Sequence, residues 1–245
     1  MKTRWSSIRK VVLSALTGTV VLPLAAFGQT LVHRYSFTTD ASDSVGGRHG
    51  TLMNNVEILN GQAMLNNPPA YDSSNPDGQY IALPAGLLAP YESVTLEVWV
   101  TPFIGDMWSR IWDFGNGTAQ YLFLSTGNTA TGPEVQSVAP GRAANWLRAN
   151  DILLGSSENH IVLAIHGPEQ LAKLYVNGVL VDVNPAFSNA PALLGATTNN
   201  WLGRSQWGGD DYLVGSYNEF RVYQGALDAL QVKANFAAGP DTLPT

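Results

Sequence analysis

Residues 94–100, Val-Thr-Leu-Glu-Val-Trp-Val, alternate strictly between apolar and mixed positions. Val94, Leu96, Val98 and Val100 fall on one side of an extended chain, and Thr95, Glu97 and Trp99 on the other. The same period of two recurs along most of the sequence. It predicts strands over residues 31–37, 50–53, 56–59, 62–65, 79–83, 110–115, 120–125, 135–138, 160–166, 172–176, 179–183 and 199–204, and a last strand within residues 213–224. Two Asn-Gly pairs, Asn60-Gly61 and Asn177-Gly178, sit between alternating segments and predict tight hairpins. Helical spacing occurs in one place, residues 227–236. There Leu227, Leu230 and Ala234 share a side and Gly239-Pro240 ends the run. Apart from the short segment 135–138, residues 126–151 follow neither period, and Trp146 falls within them as part of an irregular segment.

Many short strands, turn residues between them and one terminal helix predict an all-β fold, a two-sheet antiparallel jelly-roll sandwich with a short C-terminal helix. The chain has 245 residues, 45% hydrophobic and 13% charged, which is ample for one large core. No internal repeat or second domain is visible. The sequence divides into a leader over residues 1–28, the sandwich over 29–238 and a tail over 239–245.

The leader carries Lys2, Arg4, Arg9 and Lys10, then an apolar run over residues 11–26, then small residues before Gln29. That is the layout of a signal peptide. The run is interrupted by Ser14, Thr17, Gly18 and Thr19 and is shorter than the ~20 apolar residues of a spanning helix. The expectation is therefore export, to the periplasm, the cell surface or the medium. Removing the leader leaves nine basic against nineteen acidic residues, a balance of −10. So acidic a chain is a poor partner for nucleic acid or anionic lipid. It contains no cysteine, so neither disulfides nor thiol catalysis are available.

Four stretches together resemble the concanavalin A-like, laminin-G-like jelly rolls of exported bacterial proteins. They are Arg34-Tyr35-Ser36-Phe37 with Asp43-Ser44-Val45-Gly46-Gly47; residues 94–100 with Arg110-Ile111-Trp112-Asp113-Phe114-Gly115; Lys173-Leu174-Tyr175-Val176-Asn177-Gly178; and Leu202-Gly203-Arg204-Ser205 leading into residues 215–223 and Ala226-Leu227. The resemblance spans residues 31–236. It implies a secreted non-catalytic binding module, with carbohydrate the leading ligand. A polysaccharide hydrolase or lyase, and a protein-interaction or cell-surface module, are alternatives on the same fold. It also implies a structural Ca2+ near the Asp43 loop, with Asp43, Glu219 and Asn218 as metal candidates; Asx-turn closure and pairing with arginine are the competing roles.

Candidate chemistry is otherwise sparse. Glu97 beside Trp99 requires a partner if buried, and Arg110 is the nearest candidate in sequence pattern; Asp113 has Arg204. The hydrolases of this fold resemble a Glu-x-Asp-x-x-Glu pattern, which is missing here, so Glu97 reads as structural and no catalytic residue is assigned. His166 with Tyr175 could mimic a lyase pair, against the simpler reading of a histidine at a strand end. Trp108, Trp146 and Trp207 sit among polar or Gly residues, and Asp210 follows Trp207 closely. Exposed indoles stack on sugar rings and carboxylates fix their hydroxyls, which makes these four the ligand-binding candidates; lids over sheet edges are the competing role.

Overall fold

The computed structural model describes residues 28–69, 71–103, 108–127 and 132–243. The leader expectation lies outside the described residues. The strands are β1 (Thr30–Tyr35), β2 (Thr51–Met53), β3 (Glu57–Leu59), β4 (Gln62–Leu65), β5 (Tyr80–Leu83), β6 (Val94–Pro102), β7 (Arg110–Gly115), β8 (Tyr121–Ser125), β9 (Glu134–Val138) and β10 (Asn145–Arg148). They continue with β11 (Asn159–His166), β12 (Leu171–Val176), β13 (Val179–Asn184), β14 (Asn199–Leu202) and β15 (Gly215–Gln224), and helix α1 (Ala229–Ala238) closes the chain.

Two antiparallel sheets pack face to face as a jelly-roll sandwich. One, here the back sheet, runs β13-β12-β11-β6-β15-β4-β3, with β1 also paired to β15. The other, the front sheet, runs β10-β9-β8-β7-β14-β5-β2. Strand β15 is paired with β6 along its length on one side. On its other side β4 takes Gly215 to Tyr217 and β1 takes Phe220 to Gln224, so apart from Asn218 and Glu219 between them β15 has partners on both sides. Both Asn-Gly hairpins form. Asn60, Gly61, Asn177 and Gly178 all have φ between 50° and 76°, the left-handed geometry a two-residue turn needs.

The alternation in β6 is borne out, and all nine of its residues are buried. Val94, Leu96, Val98 and Val100 enter the core between the sheets with Trp112, Phe114, Leu122, Leu174 and Phe220. Each such side chain contributes ~1.5–3 kcal/mol by leaving water. Tyr217 lies in the same core and donates its hydroxyl to the Ile111 carbonyl at 2.7 Å, a polar tie from back sheet to front.

The other side of β6 is buried because α1 lies over it. Asp228 caps the helix, accepting the N–H groups of Leu230 and Gln231, while Gln231 reaches back to the Asp228 N–H. The expected inward face needs correction. Leu230 is 79% exposed, and Val232 and Asn235 are the helix residues turned to the sheet. The cap moved the helix start to Ala229, leaving Leu227 in the preceding turn. Below α1 lies a second apolar cluster that includes Val162, Ala164, Tyr175, Tyr223 and Val232.

Candidate ligand-binding site

The outer face of the front sheet carries a site assembled from three segments. Strand β8 presents Tyr121 and Phe123 outward, because Leu122 and Leu124 point into the core. Register then places neighbours on the same face. Phe123 is opposite Gln136 of β9 and Asp113 of β7, and Gln136 is opposite Trp146 of β10. A bulge in β7 between Arg110 and Trp112 turns Arg110 onto this face as well, its guanidinium carbon 3.9 Å from the Phe123 ring centre.

The loop between β14 and β15 folds back over β7 and β8. Its anchor is the Gln206 N–H, which donates to Asp113 Oδ2 at 3.0 Å. That holds Trp207 edge-on against Tyr121 and Phe123, with ring centres 4.7 Å and 5.8 Å away. Ser205 Oγ accepts the Trp207 N–H at 3.0 Å and donates to Asp210 Oδ2 at 2.8 Å. Asp210 in turn holds Arg110 Nη2 at 2.7 Å. The third segment brings Trp108, whose φ of 66° is a strained choice for a bulky residue, costing ~1–2 kcal/mol. It is held there by its N–H to the Gly127 carbonyl at 2.9 Å and by Arg110 Nη1, which donates to its carbonyl.

These parts enclose a cavity of about 280 Å3 lined by Trp108, Arg110, Phe123, Gln136, Trp207 and Asp210. That is near the lower end of the ~300–1,000 Å3 of small-molecule sites. Three of the four ligand-binding candidates, Trp108, Trp207 and Asp210, therefore line one cavity. The fourth, Trp146, lies in strand β10 rather than in an irregular segment. It is 36% exposed, on the same rung as Gln136 and Phe123, and two strand spacings of ~4.8 Å place it ~10 Å from Phe123. Arg148 stacks on it at 4.8 Å and pairs with Glu134 at 2.7 Å. Phe123 and Gln136 were not singled out from sequence, and Arg110 was read there only as an ion-pair partner. The alternation of residues 120–125 does put Tyr121 and Phe123 on one side, which is the signal that finds Phe123.

Asp113 is fully buried beneath the Trp207 loop. Burial pushes its carboxyl up to about 7, against the opposing pull of Arg110 and the Gln206 N–H. Its partner is Arg110, at 3.4 Å, and not Arg204 as expected. Arg204 instead stacks over Trp201 and Tyr80 at 4.5 Å and 4.8 Å, further along the same face.

The outer face of the back sheet is different. Glu97 does not meet Arg110. Its carboxylate is held by His160 Nε2 at 2.8 Å, the Tyr223 hydroxyl at 3.0 Å, Asn235 Nδ2 at 2.9 Å and 3.0 Å, and Arg221 Nη1 at 3.4 Å. Arg221 also lies 4.4 Å above Trp99, and Phe236 of α1 stacks on His160 at 5.6 Å. A larger cavity of about 390 Å3 lies beside this network, with Gln29, Leu31, Tyr223, Leu227, Asn235 and Leu243 among its lining residues. Its walls are mainly aliphatic and amide, and its Tyr223 hydroxyl is engaged by Glu97. His166 and Tyr175 lie towards opposite ends of the β11–β12 pair, so they do not form a lyase-like couple.

The metal candidates are separately occupied. Asp43 accepts the backbone N–H groups of Arg34, Val45, Gly46 and Arg48 at 2.9–3.0 Å, and His33 Nδ1 lies 2.7 Å away. Burial opposes ionisation there, but these donors together hold the carboxyl down at about 2. Glu219 is bound by Arg34 at 2.7 Å and 3.2 Å, by Arg221 Nε and by the Asp241 N–H. Asn218 donates to Glu158 at 2.6 Å. Calcium takes six to eight oxygens, whereas the groups facing these carboxylates are N–H donors, so the donor set does not fit the ion. Among the described residues no group of three His, Asp or Glu side chains is placed to hold a metal.

Residues 74–233, which contain the whole cavity, match the model of the concanavalin A-like lectin/glucanases superfamily. The chain belongs to that superfamily. Among solved structures, domain 4 of AbnA, a GH43 extracellular arabinanase from Geobacillus stearothermophilus, in complex with arabinotriose, is 22% identical with a TM-score of 0.65, over 84% of this chain and 97% of that one. The CBM40 of Ruminococcus gnavus IT-sialidase, bound to alpha2,3 sialyllactose, is 20% identical with a TM-score of 0.56, over 71% and 94%. The binding domain of botulinum neurotoxin DC in complex with SialylT is 11% identical with a TM-score of 0.62, over 85% and 51%. At these identities the likeness establishes the fold. A search of curated proteins found no match. No helix among the described residues is long and apolar enough to cross a membrane.

Proposed function

We propose that the chain is a non-catalytic carbohydrate-binding module that works outside the cytoplasm. The observation that carries this reading is the cavity on the front sheet. Two indoles supply flat apolar walls for a sugar ring, while Gln136 and Asp210 supply polar groups for its hydroxyls. The structural neighbours in complex with arabinotriose and with sialyllactose support it at the level of the fold. The basic and apolar leader sequence supports export.

A hydrolase needs two carboxylates able to flank a glycosidic bond. Asp113, the carboxyl pushed up to about 7, has no exposed surface, and Glu97 lies beneath α1 with five partner contacts. Neither can reach a sugar. A glycan array tests the proposal. Binding to at least one glycan class is expected, falling ~30-fold or more in Trp207→Ala, as for a central aromatic anchor. A blank array with folded protein would sink the module reading.

A further inference from the structure

Resting on that reading, we infer that the ligand is a neutral, extended oligosaccharide, lying across the strands from the Trp108–Trp207 cavity to Trp146, and that glycans carrying a carboxylate are rejected.

Among the described residues, Arg110 is the one cation lining the cavity. It is almost wholly buried: Nη1 donates to the Trp108 carbonyl and Nη2 to Asp210 Oδ2 at 2.7 Å, while Nε lies 3.4 Å from Asp113 Oδ2 as an ion pair without a hydrogen bond. One face of the guanidinium is covered by Phe123 at 3.9 Å, and the Trp207 and Trp108 ring centres lie 5.2 Å and 5.9 Å away. Recognition of a carboxylate by arginine uses a free two-pronged fork. Arg110 has both Nη atoms engaged by protein acceptors and its side chain almost wholly out of solvent, which disfavours such a fork. Asp210 does face the cavity, and its Oδ2 takes both Arg110 and Ser205. The remaining oxygen can accept a hydroxyl, and it repels an anion. Further along, Arg148 is paired with Glu134. Arg110 and Arg148 are thus each held by a carboxylate of the fold, Asp210 and Glu134. A ligand carboxylate would be desolvated next to Asp210 without a compensating cation, which costs more than it returns.

The extent of the ligand follows from register. Trp146, Gln136 and Phe123 stand opposite one another on successive strands, so their side chains form a row perpendicular to the strands. The row carries the exposed Trp146 indole at one end and, ~10 Å away on strand spacing, Phe123 beneath Arg110 and Trp207 at the other, with an amide between. One ring in the cavity leaves Trp146 to meet a later ring of the same chain.

Calorimetric titration with matched neutral and C6-carboxylated hexasaccharides of gluco, galacto and manno configuration, with arabinohexaose, xylohexaose and 3′-sialyllactose added, decides this. At least one neutral hexasaccharide should bind ~10-fold or more tighter than its carboxylated counterpart and than sialyllactose. Asp210→Asn should narrow that gap, and Trp146→Ala should weaken the hexasaccharide several-fold while leaving its disaccharide unchanged. Equal or tighter binding of the carboxylated member or of sialyllactose overturns this inference and leaves the module reading standing. Equal loss on disaccharide and hexasaccharide in Trp146→Ala overturns the extended path. No binding to any probe removes the module reading, and this inference with it.

Discussion

The two outer faces of the sandwich are built from the same ingredients and put to different uses. On the back sheet Glu97 and Arg221 sit with Trp99; on the front sheet Asp113 and Arg110 sit with Trp207. In both, a buried carboxylate holds an arginine whose guanidinium lies against an aromatic ring. On the back sheet α1 covers the cluster and contributes Asn235 and Phe236, so the Glu97 carboxylate and all three Arg221 nitrogens find partners within the fold, while His160 Nδ1 is left without one. On the front sheet a loop covers only the carboxylate, and the arginine and aromatics frame a cavity. What separates a stabilising cluster from a site is the completeness of its cover.

That contrast can be tested by breaking each side. The largest effect is expected from Glu97→Ala. It leaves Arg221 and His160 buried beside an empty position and should cost ~3–5 kcal/mol. At the ~2–4 °C per kcal/mol of a chain this size, thermal melting should fall by ~10 °C. Glycan affinity of the folded protein should be unchanged, and a parallel loss of binding at a temperature where the protein is folded would dissolve the distinction between the faces.

A smaller effect concerns Asp113 and pH. Its folded pKa of about 7 stands above the ordinary 3.8, so the folded state holds the proton more tightly than the unfolded chain. The stability this supplies is complete below about pH 4 and is lost as pH rises through about 7. Asp113→Asn keeps an oxygen for the Gln206 N–H and places its amide where Asp113 Oδ1 has no partner. The variant should melt higher than the parent at about pH 8 and show a flatter pH profile. An identical slope in both proteins would show that Asp113 is not the titrating group.

The smallest is Phe236→Ala. The ring is partly exposed and stacks on His160, so its loss should cost ~1 kcal/mol, a shift of ~2–4 °C in melting, with binding untouched.

The strands were legible because their signal is local. Alternation in residues 94–100 and 110–115 needs no knowledge of the partner strand, and Asn177-Gly178 specifies its turn alone. Strand β10 was not legible. Only Leu147 and its neighbour Ala149 turn to the core there, too few to establish a period. The face of α1 was misjudged for a related reason: beside Val232 the helix buries Asn235, a polar residue, and only the distant Glu97 explains that. The site was partly legible. Loop composition picked out Trp108, Trp207 and Asp210, but Arg110 read as a plain ion-pair residue because its ring partners are set by a β-bulge and by a loop some ninety residues later in the chain. Likewise Asp43 and Glu219 carry the charge a cation would need, and only the folded chain reveals that N–H groups already surround them.

The two ends of the described chain meet beside α1. Gln29 bonds to Ala226 and Gln231, the tail lays Asp241 and Thr242 on Glu219 and Arg221, and Leu243 lines the same cavity as Gln29. Residues 29 and 243 therefore lie on the side of the sandwich opposite the Trp108–Trp207 cavity.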